Sequence, residues 1–166
     1  MLRVLITGMS GTGKSTLLDR LAALGYKTVD TDSHPDLQRF VPFSDDAQHA
    51  NEPSGGEWLW NEEPIQQLLS TEDADILFVS GTVRNQGKFY PQFDHIILLS
   101  APVSVIVERL ASRTNNPYGK HPDELAEVLT YVETVEPLLR RGCTLEIDTS
   151  VPIDEVVQKV LDAVRT

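Results

Sequence analysis

Apolar positions along this chain fall into short β-branched runs separated by stretches with a helical period. Arg3 to Thr7, Asp75 to Ser80 and His95 to Ser100 are nearly continuous apolar runs, and the shorter Lys27 to Asp30 and Thr144 to Asp148 carry β-branched residues as well. Such runs predict strands covered on both faces, as in a parallel sheet. Helical spacing predicts helices over Lys14 to Leu24, Glu57 to Leu69, Val103 to Arg113, Pro122 to about Glu136, and Pro152 to Val164. Gly25 stands where a C-terminal cap is wanted, and Pro122 and Pro152 stand where a first turn tolerates a missing N–H. Pro137 ends or kinks the fourth helix. Ser33 to Gly56, with three prolines and no clear period, reads as irregular or short-helical. Strands alternating with helices predict a three-layer α/β domain of about five strands, one domain over residues 1–166.

Composition narrows the class without changing the architecture. With 40% hydrophobic and 23% charged residues, the chain is neither disordered nor fibrous. No apolar run reaches the ~20 residues of a membrane-spanning helix. The opening run is too short for a signal peptide, so a soluble cytoplasmic protein is expected, a monomer or homodimer. A single cysteine, Cys143, makes neither an internal disulfide nor a multi-cysteine metal site. The net charge of −11 disfavours nucleic acid as a partner. That charge is regional. Residues 28–83 hold twelve acids and one base, Arg39, and the rest of the chain balances.

The candidate chemistry begins at Gly8-Met9-Ser10-Gly11-Thr12-Gly13-Lys14-Ser15, a full match to G-x-x-x-x-G-K-[ST] between a strand and a helix. Curled backbone N–H groups there converge on phosphate oxygens at the positive end of the helix. Gly8, Ser10, Gly11, Thr12, Gly13, Lys14, Ser15 and Thr16 are therefore the nucleotide-binding candidates. Lys14 supplies the cation and Ser15 a magnesium ligand. The expected ligand is ATP or GTP with Mg2+. Three absences limit the reaction. The strand Ile76 to Ser80 lacks a terminal Asp-Glu pair, no Asn-Lys-x-Asp guanine motif occurs, and the length leaves no room for a ring ATPase's helical domain. Val29-Asp30-Thr31-Asp32-Ser33 ends the second strand. Alternation along a strand would put Asp30 and Asp32 on one face, bordering the phosphate loop. One carboxylate would then serve magnesium and the other an attacking hydroxyl. Alternatively both are solvated turn acids.

The loop, the Asp-Thr-Asp at this spacing and the turn Ser80-Gly81-Thr82 resemble the shikimate kinase and gluconate kinase group of small-molecule kinases, within the adenylate kinase-like fold. The resemblance implies a P-loop NTPase fold with strand order 2-3-1-4-5, helices on both faces, an acceptor-binding segment at about 31–72 and a short lid at about 113–121. It implies an ATP- and magnesium-dependent phosphotransferase. Asp30 would assist the metal, Asp32 would act as base or orienter, and Arg113 would neutralise the transferred phosphoryl group. Arg109 would border the adenine, as would Thr149 and Pro152 in the loop after Ile147-Asp148. Lys120 would add a cation to the lid.

Substrate-side candidates are Asp32, His34, Trp58, Gly81 and Arg84. Trp58 or Trp60 would stack on a sugar or ring, or belong to the core; Arg84 would bind an anionic group or lie on the surface. His49, His95 and His121 have no metal-ligand spacing. Shikimate kinases clamp a carboxylate with arginines, and between Asp30 and Arg84 this chain has only Arg39. The acceptor is accordingly expected to be neutral or cationic: a sugar, polyol, nucleoside, amino sugar or antibiotic. The alternatives are a nucleoside monophosphate kinase and, from another class, a nucleotide-binding regulatory protein whose acidic segment holds a basic partner.

Overall fold

The apolar runs become the five parallel strands of the central sheet in a computed structural model that describes residues 1–42, 56–114 and 116–165. In chain order these are β1 (Leu2–Gly8), β2 (Lys27–Asp30), β5 (Ile76–Ser80), β6 (His95–Ser100) and β7 (Leu145–Asp148). Their spatial order is β2-β5-β1-β6-β7. Numbered within this sheet alone, that is 2-3-1-4-5. β1 lies centrally, with Leu5 beside Val79 of β5 and Ile96 of β6. Period-2 alternation sends its side chains to two different cores. Val4 and Ile6 meet α1 (Lys14–Ala23) and α6 (Ile153–Arg165) through Leu17, Leu21, Val156 and Val160. Leu5 faces the opposite layer, where Ile65 and Leu69 of α2 (Glu62–Ser70) pack with Trp60 and Phe89. α3 (Val103–Ser112), α4 (Pro122–Thr134) and α5 (Glu136–Gly142) complete the β6 side.

Three expectations are corrected. The helix expected from Glu57 begins at Glu62; Gly56–Trp60 is a strand, β4, paired antiparallel with β3 (Gln38–Pro42). The reason is Pro64. In a helix starting at Glu57 it would sit in the interior and clash with the preceding turn, whereas from Glu62 it lies in the first turn. Aromatic Trp58 and Trp60 then favour the extended state, where each faces a partner across the ribbon. The supposedly irregular segment after Ser33 accordingly contains a strand, and this two-stranded ribbon is separate from the main sheet. Pro137 does more than end α4: it lies in the first turn of a new helix, α5. Among the described residues no helix is long and apolar enough to cross a membrane.

Candidate functional site

At the carboxyl end of β1 the chain turns sharply into the loop that feeds α1. A Cβ on Gly8 would stand 2.5 Å from the Leu99 carbonyl oxygen, so the loop leaves the sheet at a point only glycine can occupy. Gly13 precedes the first turn of α1, and no side chain caps that end. The first-turn N–H groups therefore face a cleft of about 390 Å³ together with Ser10 and Gly11. Lys14 folds its ammonium back on the loop, donating to the Gly8 carbonyl and, at 3.3 Å, to that of Met9. Burial lowers its pKa to about 8, although the carboxylates of Asp32 and, more weakly, Asp30 pull it upward; Arg113 adds a small further depression. A phosphate entering the cleft would replace those carbonyls as the ammonium's partner.

Asp30 and Asp32 do not share a strand face. β2 ends at Asp30, and Thr31–Ser33 is a single tight helical turn capped by Asp30, whose Oδ1 accepts from the Asp32 N–H at 3.0 Å. Alternation stops where the strand stops. Asp32 lines the cleft with Lys14 and Arg113, whereas the Asp30 carboxylate is turned onto the backbone and the Ser33 hydroxyl. For a magnesium ion the cleft offers hard oxygens on its wall: the Ser15 hydroxyl and the Asp32 carboxylate. No group of three or more His, Cys, Asp or Glu side chains could by itself hold a metal among the described residues. Two such oxygens fit an ion completed by substrate phosphates, the usual magnesium arrangement.

On the far side of the loop, Arg109 and Thr149 form a tie. The Arg109 guanidinium donates to Gly11 O at 3.2 Å, to Thr149 Oγ1 at 2.9 Å and to the Thr149 carbonyl. The buried Thr149 hydroxyl donates to Thr12 O at 2.7 Å. The residue after β7 is thereby bolted to the phosphate loop, and the cleft continues over apolar Val151, Ile153 and Val156. Pro152, expected here, is flanked by these wall residues but is not one of them. Arg113 follows α3 and donates to the carbonyls of Asn116 and Tyr118, so it braces the short segment after it while lining the cleft. Lys120 donates to Ala111 O at 3.0 Å and is not among the residues lining the cleft. Asn115 lies outside the described residues, as does His49.

The acceptor-side candidates are placed less uniformly. Gly81 does not open onto the cleft. A Cβ there would meet Thr31 Oγ1 at 2.5 Å and the Trp60 indole at 3.2 Å, so its smallness serves packing. Trp60 is fully buried, donating Nε1 to Thr31 Oγ1 at 3.1 Å. Trp58 is half-exposed and meets Phe40 edge to face at 5.4 Å. Gln38, Phe40, Trp58 and Trp60 lie on one face of the β3–β4 ribbon, because each pair is in register. His34 makes a 2.8 Å contact through Nδ1 with Asp30 O and lines a separate groove with Asp36 and Leu37. Arg84 is held by both oxygens of Glu57, at 3.0 and 3.1 Å. Arg39 donates to Asn61 Oδ1 at 2.8 Å.

Sequence reasoning missed Gln38. Its Nε2 donates to Asp32 Oδ1 at 3.1 Å from a position 8% exposed. Nothing local marks it, since the segment around it shows no period. The reading of the regional acidity also changes. Glu57, Glu62, Glu72 and Asp73 pair with Arg84, Lys88, Arg3 and Lys27, all from outside residues 28–83. Four of the twelve acids thus find counter-charges outside the segment, two of them on β1 and β2. Asp45, Asp46 and Glu52 lie outside the described residues.

Known proteins share the fold that carries this cleft. Shikimate kinase of Mycobacterium avium (strain 104) is 26% identical over 150 residues, spanning 89% of this chain and 84% of that relative. Shikimate kinase from Acinetobacter baumannii in complex with shikimate shares the fold with a TM-score of 0.64 at 18% identity, over 99% of this chain and 93% of that one. A gluconokinase from Sinorhizobium meliloti 1021 gives 0.64 at 22% identity, over 99% and 91%. The chain thus has the P-loop architecture of small-molecule kinases and resembles them along its length. Residues 4–130 match the family described as AAA domain, and with its loop, sheet order and cleft accounted for, the chain belongs to that family of P-loop proteins.

Proposed function

We propose that the protein is an ATP- and magnesium-dependent phosphotransferase acting on a hydroxyl of a small neutral or cationic molecule. The observation that carries this reading is the convergence of Lys14, Asp32 and Arg113 on one cleft at the mouth of the phosphate loop. ATP would lie with its phosphates on the loop amides and Lys14 and its base toward Arg109 and Val151. Ser15 Oγ would hold magnesium, with Asp30 assisting once its carboxylate leaves the turn, and the ion would supply charge neutralisation for phosphoryl transfer. Asp32 would accept the proton of the acceptor hydroxyl as that oxygen attacks the γ-phosphorus and the bond to ADP breaks. Arg113 would offset charge on the transferred group, and the segment 113–121 would exclude water. The acceptor would enter from the segment 31–72, with Trp58 offering a ring surface and His34 and Gly81 lying further from the chemistry.

The neutral or cationic character of the acceptor is supported by the two arginines nearest that side. Arg39 is engaged by Asn61 and Arg84 by the Glu57 carboxylate. Each engages its partner through one guanidinium nitrogen, and the Glu57 carboxylate offsets the charge Arg84 would offer an anionic group, which also counts against a nucleoside monophosphate as acceptor. The test is ADP release with ATP and magnesium across a panel of phosphate-free sugars, polyols, nucleosides and amino sugars, run beside nucleoside monophosphates and shikimate. Turnover on a phosphate-free, carboxylate-free hydroxyl is the expected result. Turnover confined to the anionic acceptors overturns the substrate class. ATP binding without transfer to any of them overturns the kinase reading in favour of a regulatory nucleotide-binding protein.

A further inference from the structure

We propose that Gln38 is the positioning residue for Asp32, presenting one carboxylate oxygen to the acceptor by holding the other. The inference rests on the reading of Asp32 as the proton acceptor. Gln38 is the first residue of β3, buried opposite Trp60 in the ribbon register. Its amide N–H donates to Asp32 Oδ1 at 3.1 Å, while its own Oε1 is buried without a hydrogen-bond partner among the described residues. A buried carbonyl oxygen left unpaired is costly, and folded proteins keep few of them. Turning the amide over would not relieve this one, because it would set Oε1 against an ionised carboxylate that only accepts. The orphaned oxygen is therefore the consequence of aiming the donor at Asp32.

The rest of the turn is fixed from other directions. Thr31 Oγ1 donates to Ser80 O at 2.9 Å and accepts from the Trp60 indole, and the Asp32 N–H is held by Asp30. With Oδ1 engaged by Gln38, Oδ2 has no protein hydrogen-bond partner among the described residues and belongs to a side chain lining the cleft. In the transfer step the acceptor's O–H proton passes to that oxygen, the acceptor oxygen bonds to the γ-phosphorus, and ADP leaves with the electrons of the broken P–O bond. Because Gln38 sits on the ribbon and Asp32 on the turn after β2, their hydrogen bond also couples the ribbon's placement to the alignment of the base.

Gln38→Leu removes both the donor and the orphaned oxygen at nearly constant volume. Its expected signature is a fall in kcat of about tenfold to a hundredfold with the KM for ATP unchanged and the melting temperature not lowered. Gln38→Glu, which sets a like charge beside Asp32, should lose more than Gln38→Leu. A structural role would instead lower the melting temperature and leave the kcat of the folded fraction intact, which overturns the proposal; Gln38→Met serves if the leucine variant does not fold. A second arm needs no acceptor. The Gln38 side-chain amide resonances of 15N-labelled protein should move toward free-amide positions in Asp32→Ala, and unmoved resonances overturn the hydrogen bond. The two readings fail separately. If no panel member accepts phosphate from the wild type, Asp32 loses its role as base while the amide spectrum still decides whether Gln38 holds it. If the wild type turns over and Gln38→Leu matches it, Gln38 alone is wrong.

Discussion

The two sides of the cleft are built in different ways. On the side proposed for the nucleotide, main-chain groups would do the binding, and side chains bolt the main chain in place: Thr149 to Thr12, Arg109 to Gly11 and Thr149. On the side proposed for the acceptor, the Asp32 carboxylate lines the cleft and one side chain, Gln38 of a ribbon outside the main sheet, donates to it. The difference follows from the ligands. Every nucleotide presents the same phosphates, which a fixed curl of N–H groups recognises. Acceptors differ, and their recognition falls to replaceable side chains on a scaffold away from the sheet.

The sharpest way to break this comparison is Asp32→Asn. Phosphoryl transfer should fall about 10²- to 10⁴-fold while ATP affinity stays within a few-fold, measured by ADP release and by calorimetry. An equal loss of both would erase the division between the sides. Next in size, Trp60→Ala should cost about 3–5 kcal/mol of stability in chemical denaturation, because the indole fills the space between the ribbon, Thr31 and Gly81. Near-neutrality would mean the ribbon is not anchored there.

On the nucleotide side, Thr149→Val deletes the hydroxyl that serves both Thr12 and Arg109. It should weaken ATP binding and cost about 1–3 kcal/mol of stability, with kcat at saturating ATP changed least. The pH dependence has a definite sign. In the free protein the Lys14 ammonium titrates near 8, with Asp32, Asp30 and Arg113 as the charged groups around it. Bound phosphates favour its charged form, so ATP binding should take up a proton above that pH. Affinity should fall by up to about tenfold per unit as pH rises beyond 8. Calorimetry in buffers of different ionisation enthalpy reads the proton directly. The smallest effect belongs to Arg84→Ala. Its pairing with Glu57 is largely exposed, so less than about 1 kcal/mol should be lost, and the acceptor KM should not rise. A large rise in KM would make Arg84 an acceptor ligand.

What the sequence determined by itself is the part governed by short-range rules. Apolar runs of five or so residues mark the central strands. The glycine pattern before Lys14 marks the phosphate loop, since the backbone curl and the helix that follows are encoded within eight consecutive residues. Boundary prolines behaved likewise, and Pro64 carried the signal that Gly56–Trp60 could not join the helix after it. Tertiary structure decided the rest. Asp30 and Asp32 look equivalent two residues apart, yet one caps a turn and the other faces Lys14, because the strand ends between them. Gly81 and Trp60 look like site residues and are packed against each other. Gln38 looks like nothing and touches Asp32. Each of these roles depends on a partner far along the chain or on where an element stops, and neither is written in local pattern. The same holds for the acidity of residues 28–83, whose described carboxylates find several of their counter-charges only when the fold brings Arg3, Lys27, Arg84 and Lys88 alongside.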